Sequence, residues 1–166
     1  MTGLFYSFTA HKSKQVAKHI VEAWGKTGLK EVDADVARGS DLGKFDSLIL
    51  GVPTWFDGEL PVYWDDMVPE IESLDLSGKK VGIYGLGDQK GYPENFVDGI
   101  GLMAQVLEAQ GAEIVGYTSA EGYTFENSGA FKDGKFIGLA LDFENQSGLN
   151  GERINNWVSQ LKKEFK

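Results

Sequence analysis

The chain contains no cysteine. That absence removes a disulfide framework, a thiolate nucleophile and a cysteine-ligated iron–sulfur cluster. Histidine is also scarce: His11 and His19 are the only two, too few to build a zinc site by themselves. Positive charge is in deficit, with 16 Lys and Arg against 25 Asp and Glu, a net charge of −9 and a pI near 4.7. A surface of that sign is repelled at long range by nucleic acid and by anionic membranes, whereas a basic protein surface would be attracted. Proline is rare, with 4 in 166 residues, and no Pro/Gly/Ser-rich linker, internal repeat or low-complexity stretch divides the chain. A single domain over residues 1–166 is expected, large enough to bury a core without metals or disulfides. No apolar run approaches the ~18 residues of a membrane span, and the opening MTGLFYSFTAHK does not have the pattern of a signal peptide. The expected setting is cytoplasmic.

What is present alternates. Strand candidates are Gly3 to Ser7, Leu29 to Asp33, Ser47 to Val52, Lys80 to Leu86, and Glu113 to Tyr117 with a further piece at Ile137 to Leu141. Helical spacing of apolar residues marks Lys12 to Gly25, roughly Pro61 to Leu74, Asn95 to Gln110 and Gly151 to Phe165. The crossover Ala34 to Asp46 is the least helical. Continuous apolar strands alternating with amphipathic helices predict an α/β fold, a parallel sheet covered by helices on both faces. One segment breaks the rhythm: TSAEGYTFENSGAFKDGKF, Thr118 to Phe136, is polar, glycine-bearing and without helical period. It reads as an inserted loop that splits the last strand into two halves.

In such a sheet, ligands sit beyond the carboxyl ends of the strands, at the switch in strand order. Three loops should meet there. The first, SFTAHKS, leads from the first strand into the first helix, where α/β proteins often hold a phosphate on helix-terminal amides. It has no glycine, and Phe8, Ala10 and His11 fill places where small or hydroxylated residues would suit an anion. The second is Pro53-Thr54-Trp55-Phe56-Asp57-Gly58-Glu59-Leu60-Pro61, and the third follows Leu86 as Gly87-Asp88-Gln89-Lys90-Gly91-Tyr92-Pro93. Trp55 and Tyr92 stand in polar turns that cannot easily carry a side chain into the core. Either ring could serve as ordinary cover for a strand end. Together they could clamp a flat ring such as a flavin, each aromatic contact adding ~0.5 to 1.5 kcal/mol beyond burial.

The element order, PTWFDGELP, GLGDQKGYPENF, the insertion continuing as GYTFENSGAFKDGKFIGLALDFENQS, and the closing RINNWVSQLKKEF resemble a long-chain flavodoxin over nearly the whole chain. The resemblance implies a five-stranded sheet of order 2-1-3-4-5 with a long insertion in the last strand. It also implies noncovalent FMN and a low-potential one-electron carrier, not an enzyme, working as a monomer between a reductase donor and an electron acceptor with basic surfaces. By position, Trp55 and Tyr92 are similar to the residues flanking the isoalloxazine, and Thr54, Gly58 and Asp88 fall where the family lines the ring. Pro53, Leu86, Gly87, Asn95 and Phe96 complete that part of the implied site. The Phe56–Asp57 peptide occupies the place where the family turns a carbonyl toward flavin N5 as an electron arrives, and a turn without glycine there should flip at greater cost.

The first loop departs from the family, whose hydroxyls and glycine wrap the phosphate. Here the corresponding positions are Phe8, Ala10, His11 and Ser13, and only Ser13 keeps its hydroxyl. Ser7 and Thr9 could donate if the loop shifted by a residue, and His11 and Lys12 could add positive charge. Two other readings stay open beside the electron carrier: an FMN-dependent reductase of quinone-like acceptors, and a flavodoxin whose impaired phosphate site holds flavin weakly.

Overall fold

The apolar runs become the interior of a parallel sheet. In the computed structural model, which describes residues 1–166, the first half of the chain supplies β1 (Thr2–Tyr6), α1 (His11–Trp24), β2 (Leu29–Asp33), α2 (Gly39–Leu42), β3 (Ser47–Gly51), α3 (Val62–Ile71) and β4 (Lys80–Leu86). The second half supplies α4 (Asp98–Ala109), β5 (Glu113–Val115), β6 (Thr118–Ser119), β7 (Phe131–Lys132), β8 (Lys135–Phe136), β9 (Leu139–Leu141), α5 (Phe143–Gln146) and α6 (Asn150–Glu164). The strand order is β2-β1-β3-β4-β5, all parallel, which is the 2-1-3-4-5 order expected. β1 and β3 are buried at every position because strands flank them and helices cover both faces, whereas the edge strand β2 is partly exposed.

Successive strand residues point to opposite faces, and the core divides accordingly. Leu4, Tyr6, Ile49 and Tyr84 cluster with Val16, Ala17 and Ile20 of α1 and Ile154, Trp157 and Leu161 of α6. Phe5, Leu48, Leu50, Val81 and Ile83 cluster with Leu42, Trp64, Met67, Ile71, Ile100 and Leu107 from α2, α3 and α4. Each face carries one fully buried tryptophan whose indole N–H is satisfied: Trp64 donates to the Gly51 carbonyl (2.8 Å) and Trp157 to that of Gly116 (2.9 Å).

The last strand is indeed split. The first half of β4 pairs with β5 and its second half with β9, so the insertion leaves the sheet and re-enters it further along the same side of β4. The junctions are glycines for a reason. Gly116 has φ +81, and a Cβ on Gly138 would stand 2.0 Å from the Ile83 carbonyl oxygen.

The insertion itself differs from the polar loop expected. It folds into a small antiparallel sheet, β6-β8-β7, over an aromatic cluster in which Tyr123, Phe125 and Phe136 surround Phe96, with ring centroids 5.7 to 5.8 Å from it. Its aromatics are irregularly spaced along the chain, so no sequence period announces a core that forms only against Phe96. α4 begins at Asp98 rather than Asn95 because Val97 sits in the left-handed region (φ 49) and breaks the helix there. No helix is long and apolar enough to cross a membrane.

Candidate functional site

The turns after β1, β3 and β4 converge on one groove with two adjoining compartments, of about 330 and 460 Å³. Thr54, Trp55, Gly87, Asp88 and Tyr92 line both. Phe56, Asn95 and Phe96 complete the smaller one, and Ala10, His11, Lys12, Ser13, Pro53 and Leu86 help line the larger. Trp55 and Tyr92 are 37% and 57% exposed, a large apolar area left at a groove instead of in the core.

The ring-bearing loops are tightly held. Trp55 and Glu59 exchange both backbone hydrogen bonds at 2.8 Å, closing a hairpin over Phe56, Asp57 and Gly58. Phe56 takes φ 50 within it. The Phe56–Asp57 peptide, which has no glycine, therefore already holds one side-chain-bearing residue in the left-handed region, at a cost of roughly 1–2 kcal/mol. The Trp55 ring is braced edge-on by Tyr63, with centroids 6.0 Å apart. Asn95 donates to the Asp57 carbonyl (3.2 Å), and the Gly99 amide donates to Thr54 Oγ1 (2.8 Å). Asp57 and Gly58 thus shape the hairpin without lining the groove.

Across the groove, Asp88 accepts from the amides of Gly91 (2.8 Å) and Lys90 (3.2 Å) and from Asn145 Nδ2 (2.8 Å). The Gly91 amide above all holds its carboxyl below the usual carboxylate range. Behind it lies Asp142, fully buried. Asp142 Oδ2 accepts from the Gln89 amide (3.1 Å), Gln89 Nε2 (2.8 Å) and Asn145 Nδ2 (2.8 Å), and its Oδ1 from the Asn145 amide (3.0 Å). Burial pushes this carboxyl upward, but the Asn145 and Gln89 donors outweigh it and keep Asp142 below its ordinary value. The insertion braces the same loop: the Thr124 amide donates to Gln89 Oε1 (2.6 Å), and the Glu126 and Asn127 amides both donate to the Pro93 carbonyl (2.8 and 3.0 Å).

The opposite end is built differently. Ser7 to Ala10 form a turn closed by the Ala10 amide on the Ser7 carbonyl (3.2 Å). Ser7 Oγ donates to Asp35 Oδ2 at 2.6 Å and Thr9 Oγ1 to the same oxygen at 3.1 Å. Phe8 lies against Tyr6, 4.9 Å between centroids, and lines a separate cavity beside Val36 and Phe45. Ser7, Phe8 and Thr9 therefore do not line the groove: their side chains face the edge of the sheet, drawn there by Asp35 and Tyr6. Beyond the turn, Ala10 caps α1 with no side-chain hydrogen bond. The first-turn amides of His11, Lys12 and Ser13 have no partner within the helix, and Ser13 Oγ is buried without any partner. His11 shares a 3.0 Å hydrogen bond with Gln15 one turn along.

Two groove residues escape the sequence reading, Phe143 and Glu144. They open α5 directly after β9, at the carboxyl end of the split fifth strand. The rule that marked the other three loops applies to them equally. The split strand hid it, because the ligand-facing end belongs to the second half.

The flavodoxin family model matches residues 4–157. The chain is 43% identical to the flavodoxin of a Nostoc species, over 98% of this chain and 96% of that one, and 39% identical to flavodoxin 1 of Escherichia coli K12, over 99% and 94%. Among solved structures it is similar to Fusobacterium nucleatum flavodoxin bound to flavin mononucleotide, with a TM-score of 0.94 at 35% identity, covering 99% of this chain and 98% of that one. With matching sequence, strand order and shape along almost its entire length, the chain belongs to the flavodoxin family.

Proposed function

We propose that this chain carries one noncovalent FMN in the groove and passes electrons singly between redox proteins. The observation that carries the reading is the pairing of two chemistries along one groove. Trp55 and Tyr92 offer aromatic surface along both compartments, and in the larger one the first turn of α1 adds unpartnered amides and the buried, unpartnered Ser13 hydroxyl. FMN has a flat ring at one end and a phosphate at the other, so the residues fit the group. A helix N-terminus favours an anion through its free N–H groups and its dipole, and a buried hydroxyl without a partner gains a hydrogen bond worth about 1 kcal/mol when an acceptor arrives.

When bound, FMN supplies the redox chemistry, accepting and returning electrons one at a time. The protein places and tunes it. Trp55 and Tyr92 shield the ring from water, and the braced loops on which they stand fix its position. Asp88, ionised at neutral pH, puts negative charge in the groove. A carboxylate at ~4 Å opposes further negative charge by about 4 kcal/mol at an effective dielectric of 20, which lowers the potential at which an electron enters. The wider acidic surface, including Asp57, Glu59, Asp65, Asp66 and Glu94, suits docking of basic redox partners by a monomer in the cytoplasm, with rates that fall as salt screens the attraction.

The purified protein should show flavin absorption with one FMN per chain, and should accept electrons from a flavodoxin reductase more slowly at high ionic strength. Rapid oxidation of NAD(P)H by the protein alone would instead favour the quinone-type reductase, and absence of flavin binding would end both readings.

A further inference from the structure

Lys12 is the one ammonium lining the groove at the phosphate end, and it is already engaged. Its Nζ is paired with Glu144 Oε1 and stands 5.9 Å from the centroid of the Phe143 ring. Lys12 and Glu144 both line the larger compartment, together with Ser13 and the start of α1. The pair therefore lies in the space that receives the phosphate, joining α1 to α5. The backbone that carries Glu144 is held in place, so its carboxylate stays near Lys12. Glu144 stands in the first turn of α5, a helix capped by Asp142 through the Asn145 amide (3.0 Å), and Asp142 is itself buried and fixed by Gln89. Lys12 also helps to hold the Asp88 carboxyl below its usual range, so one ammonium serves two carboxylates before any anion arrives. Both partners of the ion pair are about half exposed, at 47% and 54%, and such pairs are weak. A phosphate can displace Glu144 from Lys12, but it must then accept an unpaired carboxylate as its neighbour.

Resting on the flavin reading above, we infer that Glu144 competes with the phosphate for Lys12 and thereby sets how strongly this site prefers a phosphorylated flavin to an unphosphorylated one. Glu144 is paired with Lys12 and shares the larger compartment with Ser13 and the start of α1. Trp55 and Tyr92 line that compartment too, so riboflavin, which lacks the phosphate, serves as the control for any effect of Glu144 on the ring.

The test is a titration of the apoprotein with FMN and with riboflavin, followed by tryptophan quenching, for the wild type, Glu144→Gln, Lys12→Gln and the double variant. Glu144→Gln should raise the ratio of FMN to riboflavin affinity about fivefold, the change produced by ~1 kcal/mol. Lys12→Gln should lower that ratio by less than about twofold in the wild type but by about fivefold in the Glu144→Gln background, because only there is the ammonium free for the phosphate. A ratio that is unchanged or lower in Glu144→Gln overturns the competition, as does an equal cost of Lys12→Gln in both backgrounds. A wild type that binds neither flavin overturns the flavin reading itself and this inference with it.

Discussion

The two ends of the groove are held by different means. At the end proposed to hold the ring, Asp88, Gln89, Pro93, Asn95 and Asp142 tie the loop after β4 to α5, to the insertion and to the Trp55 hairpin. At the end proposed to hold the phosphate, the hydroxyls of Ser7 and Thr9 are turned to Asp35, and what remains is the start of α1 with Ser13 and a lysine bound to a neighbouring carboxylate. A planar ring gains from rigid walls set beforehand, since ordering them on binding would subtract from affinity. A phosphate can be met by backbone amides that any helix end supplies. On the proposed placement, the ring end thus depends on many particular side chains, and the phosphate end on few.

The sharpest way to break this contrast is at Asp142. Replacing the carboxylate with an amide, Asp142→Asn, leaves it unable to accept all four donors: even with its oxygen kept toward Gln89 and Asn145 Nδ2, its NH2 faces the Asn145 amide. A loss of about 2–3 kcal/mol in urea unfolding is expected, with faster amide exchange in residues 87–93. The pH dependence follows. Asp142 and Asp88 both have folded-state values below the ordinary one. Their contribution is therefore present above the unfolded carboxylate range and is lost as pH falls through the lower folded values. Asp142→Asn should lose stability less steeply than the wild type on acidification.

Trp55→Ala and Tyr92→Ala come next in size. Each should weaken binding of FMN and riboflavin alike by about tenfold, as expected for ~1.4 kcal/mol of lost ring contact. A loss confined to FMN would mean that these rings do not flank the isoalloxazine. The smallest effect is expected at Ser13. Ser13→Ala should lower FMN affinity about fivefold, consistent with one hydrogen bond of ~1 kcal/mol, and leave urea stability of the apoprotein nearly unchanged, because its hydroxyl has no partner there.

The same contrast explains what could be read in the sequence. The parallel sheet and the split strand were legible because β1, β3, β4 and β9 are buried apolar runs, the strand order came only with the family resemblance, and the groove was legible because Trp55 and Tyr92 stand in turns where a core residue has no place. The residues that hold the groove loops from behind were not. Asp142 and Asn145 lie more than fifty residues beyond the loop they hold, and nothing local in DFENQ announces the Gln89 contact. The insertion read as loop because its aromatics acquire a core only in three dimensions, around Phe96. At SFTAHKS, the family resemblance put Phe8 at a phosphate-binding position and left Ser7 and Thr9 as donors only if the loop shifted by a residue. The direction of those side chains depends on Asp35, which comes from the connection after β2.

The most direct measurement is the affinity of the wild type for FMN and for riboflavin, set beside the triple variant Phe8→Thr, Ala10→Thr, His11→Gly, which restores hydroxyls and a glycine to the turn. If the ring end does most of the binding and the phosphate end is sparsely equipped, riboflavin should bind the wild type measurably. The FMN preference should then be smaller than in the triple variant, whose FMN affinity rises far more than its riboflavin affinity. A wild type that already discriminates as strongly as the triple variant would contradict the account, and would show that the α1 amides, Lys12 and Ser13 make a complete phosphate site without the turn.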